Sequence, residues 1–411
     1  MKSIKFIPGG VCAAEGFTAA GVHCGIRKSH TKNDLALIYS EAPCAAAAAY
    51  TTNLVKGAPL TVTRSHLAAT GGRARAVICN SGNANTCNAN GIEIAEQMSK
   101  LAAEALSIEP EEVLVASTGV IGQPLDIAPI AAGLPALTEA LSKDGCDAAA
   151  EGIMTTDTVK KEIAVEFELS GGTVCRLGGI AKGSGMIHPN MATMLVFLTT
   201  DAAVSPVMLQ TALATDVRNT FNMVSIDGDT STNDMVALLA NGRAGNPEIL
   251  TADDPDFAVF MQALNTVTMN LCRYIAGDGE GATKLLECRV DGASDEATAK
   301  TVAKSVICSS LVKAAMFGAD ANWGRVLCAI GYSGADVDVT KIDVTFRSIA
   351  GEILVCKDGA GVAFSEETAK QILLEKEIDI LVSLNSGDAR ATAWGCDLTY
   401  DYVKINGDYR T

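Results

Sequence analysis

The chain has 411 residues, 48% hydrophobic, 19% charged and 5% aromatic, with 38 Gly against 11 Pro. That length suits two to three domains or one large α/β body, and that much apolar material excludes disorder, collagen-like repeats and mucin-like stalks. Lys and Arg number 32 against 48 Asp and Glu, a net charge of −16, which without a basic run repels phosphate backbones and argues against nucleic acid as a partner.

The opening MKSIKFIPGGVCAAEGF carries no continuous apolar segment, so no signal peptide is expected. Apolar runs fall short of the roughly 18 residues of a membrane span, and the expectation is a cytoplasmic protein with no membrane partner. The 13 cysteines are odd in number, scattered and without a C-x-x-C pair, which reads as free, mostly buried thiols in a reducing compartment. Residues 91–107 place Ile92, Ala95, Met98, Leu101, Ala102 and Ala105 close to a 3.6-residue period and predict a helix. Val113-Leu114-Val115 reads as a strand leading into a turn at Ser117-Thr118-Gly119.

Strict alternation predicts a strand over 163–169, with Ser170-Gly171-Gly172-Thr173 turning into a return strand. Leu195-Val196-Phe197-Leu198 reads as a strand covered on both faces. Ser205-Pro206 and Asp254-Pro255 each give a cap followed by proline at the first helical position, and Ser365-Glu366-Glu367 opens a further helix. Residues 378–384 and 392–405 read as two more strands. The mixture is α+β, with hairpins as well as crossovers and no internal repeat.

Familiar motifs are missing. The glycines of Gly277-Asp278-Gly279-Glu280-Gly281 have the wrong spacing for a dinucleotide fingerprint, and neither a P-loop nor a G-x-S-x-G elbow occurs. Nothing among His23, His30, His66 and His188 favours a triad. Asp227, Asp229 and Asp234 do not match a calcium loop, so no metal and no resident cofactor is expected. One segment differs: residues 182–198 run from a glycine-loosened loop through Pro189 to Ala192-Thr193 and a buried strand. A chain cut before Thr193 would give that residue a free α-amine, with a pKa of about 7.7–8.0, beside its own hydroxyl, so that nucleophile and base sit in one residue. On spacing alone, a strand that begins with Ala-Thr is the plainer reading.

The segment KGSGMIHPNMATMLVFLTTDA, 182–202, resembles the self-cleavage segment of the ornithine acetyltransferase family, also called glutamate N-acetyltransferase or ArgJ. The likeness continues in GFTAAG (16–21), CNSGNAN (79–85), STGVIG (117–122), GIMTTDT (152–158), GDGEGATK (277–284), GADANWGR (318–325) and INGDYRT (405–411). It implies an N-terminal-nucleophile-like αββα layered sandwich, made as a precursor that cuts itself between Ala192 and Thr193 into an alpha chain, 1–192, and a beta chain, 193–411. Two of each would assemble together. The implied reaction moves acetyl from N2-acetyl-L-ornithine to L-glutamate through an ester on Thr193, in the pathway of arginine biosynthesis.

By the same resemblance, Thr118 and Gly119 form the oxyanion hole. Thr156, Lys182, Thr193, Glu280, Asn406 and Thr411 contact substrate, and the C-terminal tail folds over the pocket with Tyr400, Tyr402 and Ile405 as anchors. His188 is left to shape the loop. Whether acetyl-CoA also serves as donor divides the family, and the reading leans toward the form that uses it. Two rivals stay open: an aminopeptidase or amidase using the same threonine, and an uncleaved small-molecule binding protein.

Overall fold

The computed structural model describes residues 4–29, 31–188 and 194–407. Its strands, in chain order, are β1 (Lys5–Ile7), β2 (Phe17–Val22), β3 (Leu35–Tyr50), β4 (Arg73–Asn83), β5 (Val113–Val120), β6 (Lys161–Glu168), β7 (Val174–Lys182), β8 (Leu195–Thr200), β9 (Val224–Ser225) and β10 (Met235–Ala240). All but β9 form one sheet, ordered β1-β6-β7-β8-β10-β3-β4-β5 with β2 added on β3. Strand β3 organises it: residues 35–40 pair with β2, residues 45–50 pair with β10, and β4 follows with a register shift between Tyr39 and Cys44.

The sheet folds across β3 and stacks on itself. Ala36, Ile38, Val77, Cys79 and Leu114 from one half and Ile180, Leu195, Phe197, Met235, Ala237 and Leu239 from the other share a single apolar cluster. Helices cover both outer faces. On one side, α1 (Ala58–Ala69), α2 (Gly91–Leu106) and α3 (Ile127–Glu139) close over Leu35, Leu37, Ala76, Ile78, Val113 and Val115, while α4 (Cys146–Ile153) plugs the space beside β2. On the other side, α5 (Pro206–Val217) and α6 (Pro255–Gly277) cover Val196, Leu198, Val236 and Leu238. The result is the α-β-β-α layering the family resemblance implies, obtained by bending one sheet.

A further layer lies beyond α6. Strands β11 (Leu285–Ala293), β12 (Asp343–Ser348), β13 (Gly351–Lys357), β14 (Ala360–Gly361), β15 (Glu377–Ser383) and β16 (Ala389–Cys396) join β9 in the order β14-β13-β12-β15-β11-β16-β9. Helix α6 packs on β6 and β7 of the first sheet and on β11 and β16 of the second. The opposite face of the second sheet carries α7 (Glu296–Cys308), α8 (Ser310–Phe317), α9 (Trp323–Gly331) and α10 (Glu366–Leu373).

The start signals work as capping chemistry requires. Ser205 accepts from Met208 N, Asp254 from Asp256 N and Ser365 from Thr368 N. One expectation fails: the strand expected over 392–405 ends at Cys396, and helix α11 (Tyr400–Gly407) follows. Asp397 accepts the backbone N–H groups of Thr283 and Lys284, and Thr399 donates to Gly281 O at 2.6 Å, so the chain leaves the sheet here. Beyond it, Tyr400 at 84% exposure has no sheet face to bury; its ring meets Phe317 edge-on. No helix among the described residues is long and apolar enough to cross a membrane.

Candidate active site

Strand ends and loops from distant parts of the chain converge on a cavity of about 260 Å³. Lys182 is the last residue of β7, Thr118 and Gly119 close β5, Thr156 follows α4, Glu280 follows α6, and Asn406 lies on α11. All six of these predicted residues line the cavity, with Ser231, Thr232 and Asn233 from the segment ahead of β10. Ala192, Thr193 and Thr411 lie outside the described residues. The described chain resumes at Met194, which lines an adjoining cavity of about 20 Å³ with Thr118, Lys182 and Asp234.

The end of β5 is held tightly. Asn233 donates to the carbonyls of Ala84 and Ser117, at 2.5 and 2.9 Å, and Ser117 Oγ donates to Asn80 Oδ1 at 2.6 Å. Gly119 sits at φ 135°, and a Cβ there would overlap the backbone of Gly82 and Asn83; only glycine fits. Thr118 is buried, and its hydroxyl oxygen accepts from Lys182 Nζ at 3.3 Å. That leaves the Thr118 O–H to donate elsewhere.

Lys182 is buried, which pulls its ammonium below the ordinary lysine range; Asp157 opposes this. Burial pushes the Asp157 carboxyl up, but Lys161, Lys182 and its own hydrogen bonds outweigh that and hold it well below the usual carboxylate range. Asp157 Oδ1 accepts from Gly183 N and Lys161 Nζ, both at 2.7 Å, and Lys161 also reaches Asp278 Oδ2 at 2.5 Å. On the same cavity, Glu280 accepts from Asn406 Nδ2 at 2.7 Å, and its backbone N–H donates to Ser184 O. The cavity therefore carries a lysine and a glutamate side chain on its lining.

Asp227 accepts the backbone N–H groups of Met186 and Ile187, at 2.6 and 2.9 Å, so it fastens the loop after Lys182. His188 Nδ1 lies 3.0 Å from Ser225 Oγ, and burial, with Lys304 nearby, lowers its pKa to about 4. All 13 cysteines are unpaired; burial pushes the Cys12, Cys44 and Cys175 thiols up to about 12, far from nucleophilic use at neutral pH. Asp234 was legible only as a candidate cation ligand. It is 2% exposed, its Oδ2 has no hydrogen-bond partner among the described residues, and burial pushes its carboxyl well above the usual range. The polar run Ser231-Thr232-Asn233-Asp234 directly before the apolar β10 was the signal available for it.

Fold and site together define an αββα-sandwich protein with a small pocket lined by a buried lysine and a buried glutamate. A sequence profile of the ArgJ family matches residues 18–411, and the chain belongs to that family. The arginine biosynthesis bifunctional protein ArgJ of Symbiobacterium thermophilum is 52% identical over 410 residues, 99% of this chain and 100% of the relative. The protein of the same name from Bacillus subtilis is 48% identical over 406 residues, 98% of this chain and 97% of the relative. A crystal structure of the arginine biosynthesis bifunctional protein from Bacillus halodurans aligns with a TM-score of 0.50 at 48% identity, covering 53% of this chain and 100% of that one.

Proposed function

We propose that the chain is a self-processed acetyltransferase that moves acetyl from N2-acetyl-L-ornithine to L-glutamate through an ester on Thr193, and that it also takes acetyl from acetyl-CoA. The carrying observation is one cavity lined by Lys182 and Glu280 together with Thr118 and Gly119. Lys182 suits the α-carboxylate common to both amino acids, and Glu280 suits the side-chain ammonium that ornithine has and glutamate lacks.

Cutting at Ala192-Thr193 frees an α-amine, which at its pKa of about 7.7–8.0 accepts the Thr193 hydroxyl proton at neutral pH. The oxygen attacks the acetamide carbonyl, and the Thr118 hydroxyl and Gly119 N–H donate to the oxyanion. Ornithine leaves with the proton returned by the amine. Glutamate's amine then attacks the ester by the reverse sequence and leaves as N-acetylglutamate. One acetamide replaces another, so the exchange costs little free energy.

The names of the relatives, arginine biosynthesis bifunctional proteins, support the pathway and a second activity. The share of this chain matched by the solved Bacillus halodurans chain, 53%, equals the share made up by residues 193–411, 219 of 411, and supports a two-chain product. Assembly of two alpha and two beta chains in the cytoplasm completes the reading.

The Thr193→Ala variant tests it. Denaturing electrophoresis should show two bands for active wild-type protein and one full-length band for the variant, with no acetyl transfer. Wild-type ornithine release should rise with glutamate, and acetyl-CoA should replace acetylornithine. Release indifferent to glutamate makes the protein a hydrolase; transfer by Thr193→Ala at the wild-type rate refutes the assignment.

A further inference from the structure

An oxyanion donor is effective only if it is aimed before the charge develops, so the group that fixes its direction matters to the rate. Regular strand pairing does not aim Thr118 and Gly119. The β4–β5 ladder shifts register between Gly82 and Asn83, directly opposite Gly119. A side chain from a third segment takes over at this point.

That side chain is Asn233, buried and on the wall of the cavity. Its Nδ2 donates to Ser117 O at 2.9 Å and to Ala84 O at 2.5 Å. The hydroxyls of Thr86 and Thr232 donate to its Oδ1 at 2.5 and 2.6 Å. Carbonyls only accept, which fixes the end of the amide that is nitrogen. Two bonds given and two received are all that the amide can make, so nothing remains for a ligand.

The Ser117 carbonyl belongs to the peptide plane just ahead of Thr118, and the Gly119 N–H to the plane after it. Freeing the first plane frees the second to turn. Ala84 and Thr86 are also tied to the chain beyond Gly119, since Ala84 N donates to Val120 O and Gly122 N to Thr86 O. The amide thus clamps the backbone on both sides of Thr118 and Gly119. Asn80, by contrast, holds only the Ser117 hydroxyl. Gly57, directly before α1, backs the amide: a Cβ there would overlap Cγ, Oδ1 and Nδ2 of Asn233.

On the reading that Thr118 and Gly119 bind the oxyanion, we infer that Asn233 is a positioning residue for acetyl transfer. Its amide sets the direction of both donors and touches no substrate.

Steady-state kinetics on purified, already cut protein test this with acetylornithine and glutamate. Asn233→Ala should lower kcat about 100-fold, the cost of a misplacement of about 1 Å, with both KM values within threefold of wild type. Gly57→Ala keeps every hydrogen-bonding group and only pushes the amide, so kcat should fall in the same pattern by a smaller factor. Asn233→Ala added to Thr118→Val should cost less than it does alone, because one of the donors it aims is already gone. A purely structural amide would lower the melting temperature and leave kcat per folded molecule unchanged. The proposal is overturned by a kcat for Asn233→Ala within threefold of wild type, by a rise in KM that exceeds the fall in kcat, or by losses that simply multiply. If Thr118→Val keeps the wild-type kcat, the oxyanion reading fails; if Thr118→Val loses kcat and Asn233→Ala does not, the positioning role alone fails. Should Asn233→Ala not fold or not be cut, Gly57→Ala decides, and a wild-type kcat there overturns the proposal. Failure of both variants to yield cut protein also overturns it, because the amide then belongs to the frame of the fold.

Discussion

In the proposed reaction the Thr118 hydroxyl would be used twice. Its oxygen accepts from Lys182 Nζ at 3.3 Å, and a hydroxyl polarised by a cation is a stronger donor in turn. The neighbouring Gly119 N–H is aimed by a backbone conformation, φ 135°, that no side chain would tolerate at this contact. Thr118→Val keeps the branched shape and the Gly119 N–H and removes one donor. On already cut protein, kcat should fall about 10²–10³-fold, the loss of about 2.7–4 kcal/mol usual for one oxyanion donor. KM for glutamate should stay within a few-fold, because Lys182 remains. Steady-state kinetics check this, and a kcat within threefold of wild type would remove Thr118 from the oxyanion role.

Residues 183–187, directly after β7, are pinned at several points. Gly183 N donates to Asp157, Ser184 Oγ to Asp278 O, and Met186 and Ile187 N to Asp227. Gly185 sits where a Cβ would overlap the Glu280 carboxyl group, the far end of a flexible side chain. Gly185→Ala should therefore displace Glu280 from Asn406 and leave the fold intact. KM for acetylornithine should rise about tenfold, equivalent to about 1.4 kcal/mol, with KM for glutamate little changed; an equal rise for both would show that Glu280 does not read the ammonium. The elements that frame this loop were legible in sequence because caps and alternation are local: Ser205, Asp254, Ser365 and the 163–169 pattern all mark real boundaries. The fold of the sheet across β3 was not, since the run Ala45 to Ala49 is buried on both faces and shows no period. Helix α11 was misread because tyrosines and valine favour strands until burial is known. The site itself was legible only through family resemblance, because Thr118, Lys182 and Glu280 come from a strand end, another strand end and a loop far apart in sequence that only the tertiary fold brings to one cavity, and Asp234 reveals itself only once its cavity is seen.

At the scale of the whole molecule, Lys161 joins the layers. It opens β6 with a wholly buried side chain and reaches Asp157, ahead of β6, and Asp278, at the end of α6, which also accepts from Thr158 N. The first sheet, the shared helix layer and, through Asp157 and Gly183 N, the segment after β7 thus meet at Lys161. Lys161→Met keeps the apolar volume and strands two carboxylates, with Lys182 the remaining cation near Asp157. Removing one partner of a buried ion pair costs about 3–5 kcal/mol, so urea unfolding at pH 7 should show a loss of that order. The pH dependence has a definite sign. In the wild type, Asp157 lies below its unfolded pKa of about 3.9, so its contribution is complete above that pH and is lost only as pH falls through the lower folded value. Without Lys161, burial, the largest influence on Asp157, pushes its carboxyl up, so the variant is penalised at neutral pH and recovers as Asp157 takes up a proton. The stability gap between wild type and Lys161→Met should consequently narrow between pH 7 and pH 4. A gap that stays constant or widens over that range would mean that packing, and not charge, is what Lys161 contributes to the junction.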